Sequence, residues 1–308
     1  MGTPELAVVC LEALRRAPGM EIVAVVTQPD RPQGRGLQRR GSPVKEVALA
    51  SGLTVLQPES VRAEAFLEQV RGLSPELIVV VAFGQILPPG LLELPRFGCI
   101  NVHASLLPKY RGAAPIQWAL LNDERETGVT IMKMDAGLDT GDILAQEATP
   151  IYPEDNAQTL HERLAQLGAG LLVKTIPAYV AGGIQPRPQP AEGVTYAPKI
   201  KRADGRIDWR LPARAIWNRV RALLPWPCAF TFLPGPPRPQ LLKIWEAASD
   251  SGRGAPGEIL SADRAGIVVA CGEGALRVTV LQREGGRRMS AQEFLAGHPL
   301  KPGDRFET

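Results

Sequence analysis

Two hydrophobic patterns alternate through the first half of the chain. Residues 21–28 (Glu-Ile-Val-Ala-Val-Val-Thr-Gln) and 76–83 (Glu-Leu-Ile-Val-Val-Val-Ala-Phe) are near-continuous apolar, largely β-branched runs. Such runs read as strands buried on both faces, as in a covered parallel sheet. Shorter strands are expected at 53–57 and at Cys99-Ile100-Asn101-Val102. Helical periodicity occupies 5–16, 44–51, 62–72 and 113–122. Two further strand-like segments lie at 128–134 and 142–148, and a long helical stretch at 156–181 ends on Gly182-Gly183. Strand alternating with helix predicts an α/β architecture on a doubly wound, mostly parallel sheet.

The pattern changes after residue 183. Residues 184–200 are Pro-rich and poorly periodic (Ile184-Gln185-Pro186-Arg187-Pro188-Gln189-Pro190), a composition that predicts a stiff, partly extended linker. Beyond it, a helix at 211–223 precedes short apolar runs at 228–233, 241–246, 257–262, 265–271 and 275–282. Gly- and Pro-rich turns separate these runs, which predicts a small β-barrel. The domain reading is therefore 1–183, a linker at 184–200, and 201–308.

Composition changes this picture in three places. At 308 residues, 44% hydrophobic and 22% charged, the chain has enough apolar material for two ordinary cores. No stretch approaches the ~18 uncharged apolar residues of a spanning helix, and no basic segment leads into an apolar one at the N-terminus. A cytoplasmic protein with no membrane partner is expected. The four cysteines (10, 99, 228 and 271) show no CxxC spacing and do not cluster with histidine. Neither a metal site nor a disulfide framework is expected, only buried free thiols. The net charge of +3 divides unevenly: residues 201–308 carry 17 basic against 11 acidic side chains, and residues 1–200 carry 18 against 21. A basic C-terminal part on a faintly acidic body suggests a polyanionic partner.

The candidate chemistry lies at the strand end Ile100-Asn101-Val102-His103 and in the turn Leu138-Asp139-Thr140-Gly141. Asn101 and His103, at i and i+2 of a strand, point to one face. Of the three histidines (103, 161 and 298), His161 falls in an amphipathic helical stretch and His298 in a C-terminal loop. Only His103 follows a strand and precedes a Pro/Gly-rich loop. Ligands of open parallel sheets bind beyond the carboxyl ends of the strands, where Asn101, His103 and Asp139 would all fall. An amide and an imidazole can hold a developing oxyanion, and an imidazole and a carboxylate can manage protons. The three residues are read as catalytic for acyl transfer.

These residues sit in a longer series of motifs. It runs through Gly2-Thr3-Pro4-Glu5, Gln28-Pro29-Asp30-Arg31-Pro32, Ser42-Pro43-Val44-Lys45 and Gly98-Cys99-Ile100-Asn101-Val102-His103. It continues with Ser105-Leu106-Leu107-Pro108, Arg111-Gly112-Ala113-Ala114-Pro115-Ile116, Thr127-Gly128-Val129-Thr130-Ile131-Met132 and Leu138-Asp139-Thr140-Gly141-Asp142. Ile207-Asp208-Trp209, Pro225-Trp226-Pro227 and Pro256-Gly257 follow. In this order the series resembles the methionyl-tRNA formyltransferases.

The resemblance implies a Rossmann-like catalytic domain followed by an oligonucleotide-binding-like barrel. It implies transfer of a formyl group from 10-formyltetrahydrofolate to the α-amine of methionyl-initiator tRNA, in support of translation initiation. Asn101 and His103 would donate to the formyl oxygen; Asp139 would orient His103 and take the amine's proton. Ser105, Leu106, Leu107 and Pro108 would line the folate pocket, with Phe83, Gly84 and Ile86 flanking it. The basic loop carrying Arg31, Arg35, Arg39, Arg40 and Lys45 would reach the tRNA. Trp209, Trp217, Trp226 and Trp245 are read as core residues or as stacking platforms for bases. A monomer without bound metal is expected. Two other readings share the Asn-x-His core: a formyltransferase acting on another amine, such as a sugar nucleotide, and a non-catalytic RNA-binding relative. The family also carries a short apolar strand before the Gly-Thr-Pro turn, which here begins at Met1-Gly2. That first strand is expected to be missing, through a late start or a truncation, leaving its neighbours in the sheet unpaired.

Overall fold

The structure, a computed structural model, describes residues 1–33, 38–235 and 239–307, the side chains of 32, 33, 38 and 39 aside. The chain forms two units. Met1–Pro115, Glu126–Pro150 and His161–Ala197 make the first; Ile116–Arg125, Ile151–Leu160 and Pro198–Thr308 make the second.

The chain opens with α1 (Glu5–Arg16), which buries Leu6, Ala7, Cys10 and Leu11. Its Glu5 in the first turn and Arg15 and Arg16 in the last suit the helix dipole. Then come β1 (Val25–Val26), the hairpin β2 (Arg31–Gln33) and β3 (Gln38–Arg40), and α2 (Pro43–Ala50). The α2 start follows from its sequence: the Ser42 hydroxyl accepts from Lys45 N–H at 3.1 Å and Pro43 opens the helix. β4 (Val55–Leu56), α3 (Glu64–Leu73), β5 (Ile78–Val80), α4 (Pro89–Leu92) and β6 (Cys99–His103) follow. After α5 (Pro115–Leu121), the strands β7 (Glu126–Lys133) and β8 (Ile143–Pro150) lead to α6 (Ala157–Val180).

Pairing is parallel between β1 and β4 and between β5 and β6, as the alternating pattern predicts. It is antiparallel between β6 and β7 and between β7 and β8. The expectation of a mostly parallel sheet is thus corrected at these two strands. For β7 and β8 the reason is connection length: residues 134–142 are too few for the crossover that parallel strands need.

Gly2 N–H donates to Val26 O at 2.9 Å, and Val81 N–H donates to Met1 O at 2.9 Å. Residues 1 and 2 thus bond to the β1 strand and to the end of the β5 strand. Beside them lies a cavity of about 750 Å³ lined by residues 21–26 and 75–79 and by Cys10, Leu11 and Leu14 of α1. Only Val25 and Val26 of the expected strand 21–28 have a ladder partner, and Val23 is exposed.

In the second unit, α7 (Ala213–Ala222) packs on a six-stranded antiparallel sheet. Its strands are β9 (Ala229–Leu233), β10 (Gln240–Asp250), β11 (Ile259–Asp263), β12 (Gly266–Ala270), β13 (Ala275–Arg283) and β14 (Arg288–Ser290), and α8 (Ala291–Gly297) follows. The order is β11-β12-β13-β10-β9, with β14 on β13. Among the described residues no strand ladder joins β11 to β9, so the expected closed barrel is not found, although backbone bonds tie residues 303–307 to both edge strands, at Ile259 and at Phe232. The core gathers Ile216, Leu242, Ile244, Ile267, Leu276 and Phe294 around Trp209, which is fully buried and stacked on Phe306.

Candidate active site

β6 is buried along its whole length. Cys99, Ile100 and Val102 supply the apolar content, so Asn101 and His103 are polar groups held inside a buried strand. Opposite them on β7 stand Met132 and Thr130. Buried polar groups need partners. His103 finds one in the Tyr110 carbonyl, 2.9 Å from Nε2. A carbonyl only accepts, so Nε2 carries a proton. Nδ1 is then the nitrogen turned to Asp139, whose Oδ2 lies 3.7 Å away. The same Oδ2 accepts the Gly112 N–H at 2.8 Å, which fixes the carboxylate. Asp139 itself sits at φ +52, in a turn shaped by Asp135, which accepts from Gly137 N–H and from the Thr140 hydroxyl. No described residue bonds to the side-chain amide of Asn101.

Two glycines are dictated by close approach. A Cβ on Gly112, at φ +121, would press on the Ala197 carbonyl. On Gly128 in β7 it would run into the Glu147 carbonyl and the Leu106 side chain, so this glycine is what seats Leu106 over the strand.

The loop after His103 is held by side chains that sequence reading did not select. The Thr130 hydroxyl, fully buried, donates to Ser105 O at 2.7 Å and accepts from Leu107 N–H at 3.1 Å. Gln146 donates to Leu107 O and to Thr130, both at 2.9 Å. The Ser105 hydroxyl is turned inward to Lys109 O at 2.6 Å. Ser105 and the Leu107 backbone are therefore occupied within the protein, while Leu106 and Pro108 are half-buried and Lys109 is exposed. A threonine in an otherwise apolar strand was the available signal for Thr130; nothing in the sequence marked Gln146 or Tyr110.

Of the flanking residues, Phe83 lies in the core and its carbonyl takes bonds from Thr3 and Gln28. Gly84 turns outward at φ +88, and Ile86 is 72% exposed. In the basic loop, Arg31 bonds to Gln28 and Lys45 forms an ion pair of 2.7 Å with Asp30. Arg40 is exposed, and Arg39 stands opposite Pro32 in the hairpin. Arg35 lies outside the described residues.

Among the tryptophans, Trp209 is core and Trp226 is 58% exposed. Trp217 lies beneath Arg214 and Arg221, and Trp245 beneath Arg288. No described helix is long and apolar enough to cross a membrane. No group of three potential metal ligands occurs among the described residues.

Comparison with known proteins gives two family matches. Residues 1–176 match the family described as formyl transferase, and residues 199–299 match the formyl transferase C-terminal domain. A methionyl-tRNA formyltransferase of Citrifermentans bemidjiense is 54% identical over 98% of this chain and 94% of its own. One from Geobacter metallireducens is 50% identical over 99% and 97%. The solved structure of WlaRD, a sugar 3N-formyl transferase in the presence of dTDP and 5-N-formyl-THF, shares the fold. Its TM-score is 0.66 at 20% identity, over 92% of this chain and 95% of that one. The chain belongs to the formyl transferase family.

Proposed function

We propose that the chain transfers the formyl group of 10-formyltetrahydrofolate to the α-amine of methionyl-initiator tRNA. The observation that carries the reading is the buried polar arrangement at the end of β6. Asn101 and His103 share one face, His103 is fixed through Nε2, and Asp139 stands beside Nδ1. Near-full-length identity of about half to enzymes of that name supports the choice of acceptor.

With Nε2–H committed to Tyr110, His103 offers a second donor only when Nδ1 is protonated too, that is, as the imidazolium. In that form it and the Asn101 amide serve as donors for the formyl oxygen as it gains negative charge. Asp139, held by Gly112, orients the ring and accepts the proton that the attacking amine releases. The folate would supply the formyl group: as the new amide bond forms, the N10–formyl bond breaks, and the departing N10 takes up a proton equivalent to the one the amine gave to Asp139. The half-buried surface of Leu106 and Pro108 fits an apolar ring system in a cleft with few polar anchors.

Residues 1–183 are read as the catalytic domain, 184–200 as the connection, and 201–308 as an oligonucleotide-binding-like barrel. Bulges in β10 and β11 would let that sheet curl toward closure. Arg31, Arg35, Arg39, Arg40 and Lys45 are assigned to tRNA contact, and the protein is read as a cytoplasmic monomer serving translation initiation.

The test is a formylation assay with 10-formyltetrahydrofolate and three acceptors: methionyl-tRNA, free methionine and a sugar amine. Turnover on methionyl-tRNA alone is expected; preference for the sugar amine would replace the acceptor. His103→Ala, Asn101→Ala and Asp139→Ala are each expected to lower turnover, by roughly 10²–10³ for an oxyanion donor. Near-unchanged turnover in all three folded variants would sink the assignment.

A further inference from the structure

The Pro-rich segment does more than connect. Arg187 pairs through its backbone with Ile143, at 2.8 and 2.9 Å. Thr195 accepts Tyr110 N–H on its hydroxyl at 2.8 Å and Arg111 N–H on its carbonyl at 2.9 Å. Ala197 accepts from Ala114 and donates to Arg111. The segment therefore bonds to both loops that carry the site, the one after His103 and the one around Asp139.

Gln189 joins these loops through a single side chain. Its Oε1 accepts Nε and Nη2 of Arg111, at 3.1 and 2.7 Å. Its Nε2 donates to the carbonyls of Asp139 and Gly141, both at 2.8 Å. All four hydrogen-bonding positions of a glutamine amide are thus used. The prolines on either side restrict the backbone, so the side chain is delivered from a largely preset extended segment.

The consequence falls on Asp139. An aspartate at positive φ persists only where its surroundings hold it there. Gly112 holds the carboxylate and Gln189 holds the carbonyl of the same residue. Arg111, gripped by Gln189, is the residue before Gly112. One amide thereby fixes Asp139 against the loop whose Tyr110 carbonyl anchors His103.

We propose that Gln189 is a positioning residue for formyl transfer: it sets the placement of Asp139 relative to His103 without touching the reacting atoms. This rests on the reading of Asp139 as catalytic. The test compares Gln189→Ala, Gln189→Glu, Asp139→Asn and the double variant Gln189→Ala/Asp139→Asn in the full chain. It measures kcat, KM for both substrates and the thermal unfolding midpoint.

Gln189→Glu keeps the acceptor for Arg111 and loses both donors to the turn. Each single Gln189 variant is expected to lower kcat by about 10- to 100-fold with both KM values nearly unchanged, as misplacement of a catalytic group does. In the Asp139→Asn background, Gln189→Ala is expected to cost little more, since the two act through one another. The assignment is overturned if kcat survives in both Gln189 variants, or if the loss is undiminished in the Asp139→Asn background. It is equally overturned if kcat falls only in step with KM and the unfolding midpoint. If Asp139→Asn alone retains full turnover, the catalytic reading of Asp139 fails, and the positioning role with it.

Discussion

Thr130 shows how a single hydroxyl can govern the site. It donates to Ser105 O and accepts from Leu107 N–H and Gln146, so three parts of the pocket wall meet on one oxygen. Thr130→Val keeps the shape and strands a buried carbonyl and N–H. The expected cost is about 1–3 kcal/mol for each such group, read by urea unfolding. The KM for the folate donor should rise while that for tRNA holds, which steady-state kinetics with each substrate varied would detect. At this scale the sequence was informative where chemistry is rare. One histidine in three followed a strand, and a strand's alternation put Asn101 on its face. It was silent on what orients them: Tyr110 acts through a backbone carbonyl, which any residue could supply, and Gln189 through a contact fifty residues away in the chain. No local pattern records such contacts.

At the scale of elements, helix periodicity was a faithful guide. The expected helix 5–16 matches α1, and 156–181 matches α6 within a residue at each end. Strand direction was not read from composition, although the nine-residue span between β7 and β8 required those two to be antiparallel. The hairpin of β2 and β3 was expected only as a basic loop. Two of its basic neighbours differ in what they offer a polyanion: Lys45 is already paired with Asp30, whereas Arg40 is exposed. Arg40→Ala and Arg35→Ala are therefore expected to raise the KM for methionyl-tRNA well above the change in folate KM, and more than Lys45→Ala does. Comparable losses toward both substrates would remove the hairpin from tRNA recognition.

Across the whole molecule, charge is distributed by unit of sequence rather than by average: residues 201–308 hold the excess of basic side chains. If that excess meets phosphates, the apparent affinity for tRNA falls linearly in a log–log plot against salt. Each phosphate contact contributes a slope of about −0.7 to −0.9. Folate binding measured over the same range should be nearly flat, and parallel slopes for both would argue against the assignment. The Pro-rich segment carries a further meaning in time. A ribosome that has delivered residues 1–183 has released Asn101, His103 and Asp139, but not the groups at 187–197 that bond their loops. Domains fold as synthesis proceeds; on the proposed reading of these three residues, an unfinished chain is expected to stay inactive until residues 187–197 have emerged.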